Sequence, residues 1–312
     1  MAETRTWKQN SLNFNIMLQV AGADLSIQDL DIDFDVYKNN KSENNKSTIT
    51  IWNLNDTTYQ RLLEKNYAVD LYTWYGDDEP SLMFRGFVDK DKTSKRNING
   101  RINTAKGFLE SPVRQDIKGS FDIPTIIELV DGHVAYTQTK INKDYRTKVT
   151  STQILKDCIE AMGVGIAKFS DKLPVKEYPT FKAVGAPQAV MQQVCKPLGI
   201  KFNISNGLIQ VVAPDEEFNG EFAILLNREN SMRPDRVGEN ELVISTRLIP
   251  SLNPYDWVQC DFNEFSGVES VRQVHSKGNN YGTQGSTEII IGFDKLKKKT
   301  KRKRNRTGSP WL

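Results

Sequence analysis

Four aspartates recur at every second position, Asp29, Asp31, Asp33 and Asp35, and form the densest set of potential ligands in the chain. A calcium loop needs a glycine at its turn and a distal bidentate glutamate, and neither follows at the required distance. Strong strand formers, Ile32, Phe34 and Val36, sit between the acids instead. At period two the acids make one stripe along a strand, not a cage. Two readings follow for that stripe: a plain solvated face, or a face turned into a negatively charged channel. The histidines, His133 and His275, are too few and too far apart for a metal cluster. His275 falls at the end of an expected strand, before a hairpin loop at 276–280, where a turn-stabilising hydrogen bond suffices; catalysis would need a partner base or nucleophile that spacing does not supply. Cys158, Cys195 and Cys260 lack paired spacing, which argues against a zinc knuckle or a disulfide framework and makes each a small buried hydrophobe. Dinucleotide, phosphate-loop, GxSxG and HExxH patterns are absent from the sequence. The expectation is therefore no enzyme, no cofactor and no metal.

Charge supplies the second candidate. The formal net charge of +3 averages two unlike parts: residues 295–312 hold nine Lys and Arg and no acid, and residues 1–294 carry the other 33 cations against 39 acids. The cations Lys297, Lys298, Lys299, Lys301, Arg302, Lys303, Arg304 and Arg306 are candidates for docking an acidic partner surface. The alternatives are a solvated tail and a nucleic-acid contact driven by counterion release. Without an aromatic side chain inside the run to stack on bases, such a contact would be non-specific. Like charges at this density keep the segment from collapsing by itself.

The chain of 312 residues is 38% hydrophobic and 26% charged, a balance suited to a folded globular core. Its apolar runs all fall short of the ~18 residues of a membrane span, and MAETRTWKQN is not followed by an apolar stretch, so neither anchor nor signal peptide is expected. Period-two patterning at Phe14, Ile16, Leu18 and Val20, and at Leu30 to Val36, predicts strands, followed by strands at 47–52, 69–75, 82–88 and 101–106. Asn55 or Asp56 can cap a short helix that turns Tyr59, Leu62 and Leu63 inward. Between about 125 and 214 the period becomes helical. Thr150 and Gln153 form a capping box, Gly163 supplies a stop, Pro187 opens a second helix, and Asn206–Gly207 joins a hairpin through a type I′ turn. From Phe222 strands return, at 223–226, 241–248, 257–262, 268–275 and 287–293. The predicted fold class is mainly β with an α/β unit: two β domains, 1–112 and 216–294, flank a linker and α/β domain at 113–215, and a basic tail occupies 295–312.

Several phrases, taken in order, resemble the baseplate hub proteins of contractile-tailed bacteriophages, the Mu-like hub family related to the type VI secretion spike protein. FDVYK, ITIWNLN, VDLYTWYGDD and MFRGFVD are similar to the family's first strands; VAYTQTKINKDYRTKVTSTQIL and GAPQAVMQQVCKPLGIKFNISNGLIQVV are similar to its α/β domain; NRENSMRP, STRLIPSLNP and SVRQVHSKGNNYG resemble its closing barrel. Lys65, Asn66, Arg146 and Thr147 stand where the family often has glycine, and the polybasic tail is not a family hallmark. The resemblance spans roughly residues 12 to 293. It implies two tube-type β-barrel domains per chain and a homotrimer whose pseudo-sixfold ring joins the hexameric tail tube to the trimeric central spike. It also implies contacts with other baseplate proteins, transient passage of phage DNA, and residence in the virion tail after assembly in the host cytoplasm. In that setting Asp31, Asp33 and Asp35 are channel-lining candidates, because carboxylates repel the phosphate backbone.

Overall fold

The computed structural model describes residues 3–5, 14–20, 25–40, 44–64, 67–96, 102–104, 107–109, 122–132, 135, 139–214, 216, 222–238, 240–263, 265–282 and 285–292. His133 and the basic tail lie outside the described residues.

Alternation of buried and outward side chains, strictest in Lys46–Trp52 and interrupted in Ala68–Tyr75 by a register shift after Leu71, builds the first β body. It comprises β2 (Phe14–Val20), β3 (Leu25–Ile27), β4 (Ile32–Asn39), β5 (Lys46–Trp52), β6 (Ala68–Tyr75), β7 (Ser81–Val88), three short strands β8 (Ser94–Arg96), β9 (Ile102–Thr104) and β10 (Gly107–Leu109), and β11 (Pro124–Val130). The antiparallel order β3-β2-β6-β7-β11-β5-β4 brings inward-facing side chains from every long strand into one core, including Ile16, Leu18, Ile32, Phe34, Ile49, Ile51, Leu71, Phe84 and Ile127. Helix α1 (Asp56–Glu64) closes that core with Tyr59 and Leu62, and the Asn55 side chain accepts from Thr58 N at 2.7 Å to cap it. Each fully buried branched side chain contributes roughly 1.5–3 kcal/mol.

The α/β unit has its own core. Helix α2 (Ser151–Met162) starts where the Thr150 hydroxyl accepts from Gln153 N at 3.2 Å, and stops at Gly163, whose φ of 66° is the left-handed conformation that glycine adopts without steric cost. The capping box is only half made: the Gln153 amide donates forward to Asp157 at 2.9 Å, so the return bond expected of the box is replaced. Helix α3 (Pro187–Cys195) carries Pro187 at its first turn. Around the helices lie β12 (Ile141–Tyr145) paired with β16 (Phe181–Gly185), the two-residue strands β13 (Val149–Thr150) and β15 (Glu177–Tyr178), and a sheet of β14 (Gly165–Phe169), β18 (Leu208–Val212) and β17 (Lys201–Ser205). Asn206 and Gly207, at φ 53° and 76°, turn the β17–β18 hairpin. The three cysteines are buried and free, and burial pushes their thiols up to about 12.

The second β body contains β19 (Phe222–Asn227), β20 (Asp235–Gly238), β21 (Glu241–Arg247), β22 (Trp257–Asp261), β23 (Ser266–Asn279) and β24 (Gly285–Gly292), around a core of Leu226, Ile244, Val258, Val271, Val274, Ile289 and Ile291. The two β bodies are not separate sheets. Strand β4 pairs antiparallel with β23, Asp33–Asn39 against Gln273–Asn279, and among the described residues one 17-stranded sheet runs through both bodies.

Two boundaries drawn from the sequence shift. Strand β11 lies beyond residue 112 yet belongs to the first β body, because Ile127 and Leu129 fill its core and Pro124–Val130 pairs with β5 along its whole length. At the other end, β1 (Glu3–Arg5) pairs in parallel with β19 and so extends the second body, not the first. The change to helical period expected at about residue 125 comes later: residues 124–130 are strand β11, and helix α2 of the α/β unit starts at Ser151.

Candidate channel-facing sheet surface

Along β4, Ile32, Phe34 and Val36 point into the first core, and Asp33, Asp35 and Tyr37 therefore point to the opposite face. Asp31, just ahead of the strand, is exposed. The β4–β23 register sets Lys277 opposite Asp35 and Asn279 opposite Asp33, and the next pairing sets Glu288 of β24 beside His275. On the other flank, Thr48 and Thr50 of β5 stand against Asp35 and Asp33, and Glu128 of β11 stands against Thr48. The outer face of the joined sheet is thus a polar band crossing from one β body to the other.

The stripe is tied into that band. Asp33 accepts from the Trp52 indole at 2.8 Å through one oxygen and from the Tyr281 hydroxyl at 2.6 Å through the other. The hydrogen bond to Asp33, reinforced by burial, pushes the Tyr281 hydroxyl up to about 12, so it stays a donor at neutral pH. Asp35 meets His275 Nε2 at 2.7 Å and Lys277 Nζ at 3.2 Å. The Tyr37 hydroxyl donates to Gln273 at 2.8 Å, its ring meeting that of His275 edge-on at 5.9 Å between centroids, and Thr48 donates to Glu128 at 2.9 Å.

The structure corrects the setting given to His275. Strand β23 continues through Lys277 to Asn279, so His275 stands inside a paired strand and bridges to a carboxylate of the other β body, with Glu288 Oε2 3.8 Å from its second nitrogen. Sequence reasoning found the aspartates and missed their companions His275, Lys277, Tyr281 and Glu288. Those partners are some 240 residues away, on β23, the turn after it and β24, and no local pattern announces the β4–β23 pairing. The docking candidates between Lys297 and Arg306 lie outside the described residues. Among the described residues, no group of three or more His, Cys, Asp or Glu is placed to hold a metal ion, and no helix is long and apolar enough to cross a membrane. What the surface offers is a broad, hydrated, acid-rich face with most of its charges locally partnered.

No protein-family model and no curated protein matches the sequence. Solved structures do. The 43 kDa tail protein of prophage MuSo2 from Shewanella oneidensis superposes with a TM-score of 0.61 at 9% identity, over 90% of this chain and 98% of that one. The chain has a phage tail-protein fold. A tail protein from Neisseria meningitidis MC58 shares that fold with a TM-score of 0.57 at 9% identity, over 90% and 97% of the two chains. So does the E. coli c3393 protein, a type VI secretion system component described as structurally similar to the bacteriophage T4 tail proteins gp27 and gp5, with a TM-score of 0.56 at 10% identity, over 89% and 77%. In each of these three the likeness runs over about nine tenths of this chain.

Proposed function

We propose that the protein is a structural component of a phage tail, the baseplate hub that joins the hexameric tail tube to the trimeric central spike and encloses part of the DNA channel. The observation that carries this reading is the β4–β23 ladder: one chain presents two β bodies side by side in a single sheet, so three chains supply six bodies to a ring. Such a ring meets sixfold symmetry on one side and threefold on the other without catalysis. The polar band is the surface that faces the lumen. Carboxylates in excess over cations repel the phosphate backbone, and the local partners of Asp33 and Asp35 hold them in place without offering free cations to a passing duplex. The basic tail straps the chain to an acidic surface of a neighbouring baseplate protein outside the lumen, a contact that weakens with salt.

A reconstruction of the assembled tail tests the assignment. The expected result is a ring of this chain between tube and spike with Asp31, Asp33 and Asp35 toward the lumen; density for it on the outside of the baseplate, or the band facing away from the axis, contradicts it. Particles carrying D31K, D33K and D35K together are expected to assemble and to eject their genome more slowly, and a normal ejection rate removes the electrostatic role.

A further inference from the structure

Among the described residues the α/β unit meets the first β body through a polar socket, with Ser205 Oγ 3.5 Å from Asn253 Oδ1 of the second body. The unit's β17–β18 turn is the plug: Asn206 N and Gly207 N donate to the two oxygens of Asp131 at 2.7 and 3.0 Å, and the Asn206 side chain accepts from Arg85 N at 3.2 Å. Asn45, buried beside them, donates to Ile204 O at 3.3 Å. At Gly207 φ is positive and a Cβ would lie 3.2 Å from Arg85 Cδ, so glycine lets the plug seat. The socket is charged and dry. Asp131 is 2% exposed and Lys38 1%, and Lys38 Nζ donates to Asn253 Oδ1 at 2.7 Å.

Apolar packing across this joint is sparse. Among the described residues the buried hydrophobes fall into separate cores for the first body, the α/β unit and the second body, and the buried apolar pair spanning unit and platform is Val212 with Tyr255. Beside the pair opens a cavity of about 600 Å³, lined by Lys201 from β17 and by Asn40, Tyr255, Glu269 and Arg272 from the β bodies. A close-packed interface has no such gap.

We infer that the Asn206–Gly207 turn seated on Asp131 is a releasable latch, which lets the α/β unit lift from the β platform as a folded body while the platform stays paired. The inference goes beyond the hub reading and does not depend on it. Release changes the surroundings of Asp131, and this weights the latch by pH. Seated, the Asp131 carboxyl is pushed up to about 6, mainly by burial, with the two turn amides, Lys38 and Asn45 pulling against that. The charged groups facing it are Lys38 of β4, itself beside Asp256, and Arg85 of β7, held by Asp70 of β6. Lifted into water, Asp131 returns to about 3.8. The seated state therefore binds the proton more tightly and is favoured as pH falls; raising pH from 5 to 7 increases the released fraction about tenfold.

Amide hydrogen exchange on the full chain, corrected for intrinsic rates, tests this. In the unmodified protein the Asn206 and Gly207 amides are expected to exchange at least about tenfold faster than the β4–β23 ladder, with protection falling about tenfold from pH 5 to pH 7 while the ladder and the α/β core hold. Asp131→Asn is expected to lower protection at the turn and abolish its pH dependence. Equal protection of turn and ladder, a flat profile in the unmodified protein, or a profile that persists in D131N overturns the latch. The pH series on the unmodified protein decides the matter even if D131N does not fold.

Discussion

The molecule has two joints, and they are built from different materials. Between the β bodies the joint is a seven-residue ladder from Asp33 to Asn39 against Gln273 to Asn279. It is extended by Asn280, which accepts from Ile32 N and donates to Leu30 O, both at 2.8 Å. Leu248 of the second body is buried in the first core, and its carbonyl accepts from the Tyr75 hydroxyl at 2.9 Å. Between the platform and the α/β unit the joint, among the described residues, is a turn on a buried carboxylate with a few further hydrogen bonds, involving Arg85, Asn45 and Asn253, and one buried apolar pair beside it. Backbone pairing plus a side chain of one body buried in the core of the other fails only with the bodies it joins, whereas a polar socket exchanges its hydrogen bonds for water when it opens and loses little net free energy per bond. The difference makes the β platform the rigid part and the appended unit, on the latch proposed above, the movable one.

The largest expected effect comes from breaking the ladder. Val274→Pro puts a proline into a strand paired on both sides, removing a ladder bond and leaving its buried acceptor unpaired at a cost of about 1–3 kcal/mol on top of the ring's steric misfit, and should leave the chain without a cooperative β transition in circular dichroism. Leu248→Ala attacks the same joint through its packing and should cost about 2–5 kcal/mol in urea denaturation. An unchanged midpoint for Leu248→Ala would mean that this crossing side chain does not hold the bodies together.

At the socket, the expected loss depends on what is left behind. Asp131→Ala strands two turn amides and leaves Lys38 buried with Asp256 as its nearest counter-charge, which should cost about 3 kcal/mol. Lys38→Met combined with Asp131→Asn removes both charges and should be milder than Asp131→Ala alone; a double variant that is the worse of the two would contradict a desolvated pair. The pH dependence has a definite sign. Asp131 is raised to about 6 when folded, so its stabilising contribution is complete below about 3.8 and is lost as pH rises through 6. Lys38 is lowered to about 8 by burial, so its contribution is complete above about 10.5 and is lost as pH falls through 8. The socket should be weakest between pH 6 and 8, and thermal melts of K38M/D131N should lack that trough.

The smallest effect belongs to the polar band. Asp35→Asn removes the half-exposed ion pair to Lys277 and alters the hydrogen bond to His275, and should shift stability by less than about 1 kcal/mol, leaving the fold intact for ejection assays.

What the sequence revealed follows from range. The Thr150 cap, the Gly163 stop, the Pro187 start and the Asn206–Gly207 turn are decided by neighbours within a few residues, and each stands in the structure where local chemistry places it. The membership of β11 in the first body, the parallel pairing of β1 with β19 and the β4–β23 ladder depend on partners far along the chain, and alternation alone is silent about which edge meets which. One long-range feature did leave a trace. Lys38 shares the parity of Ile32, Phe34 and Val36 and so falls on the buried face, a position a lysine holds only with a counter-charge or hydrogen-bond acceptors nearby. That parity was the readable sign of the socket. Asp33 and Asp35 stand on a strand face as read, whereas Asp29 and Asp31 precede β4, and the partners His275, Lys277 and Tyr281 of the two strand aspartates were invisible because they come from the other body.

The proposed ring is tested most directly by counting copies of this chain in an assembled tail, by symmetry-free reconstruction of the particle. Three copies, each contributing two adjacent β bodies joined by its own β4–β23 ladder, is the predicted result. Six equivalent copies, or one, would contradict it.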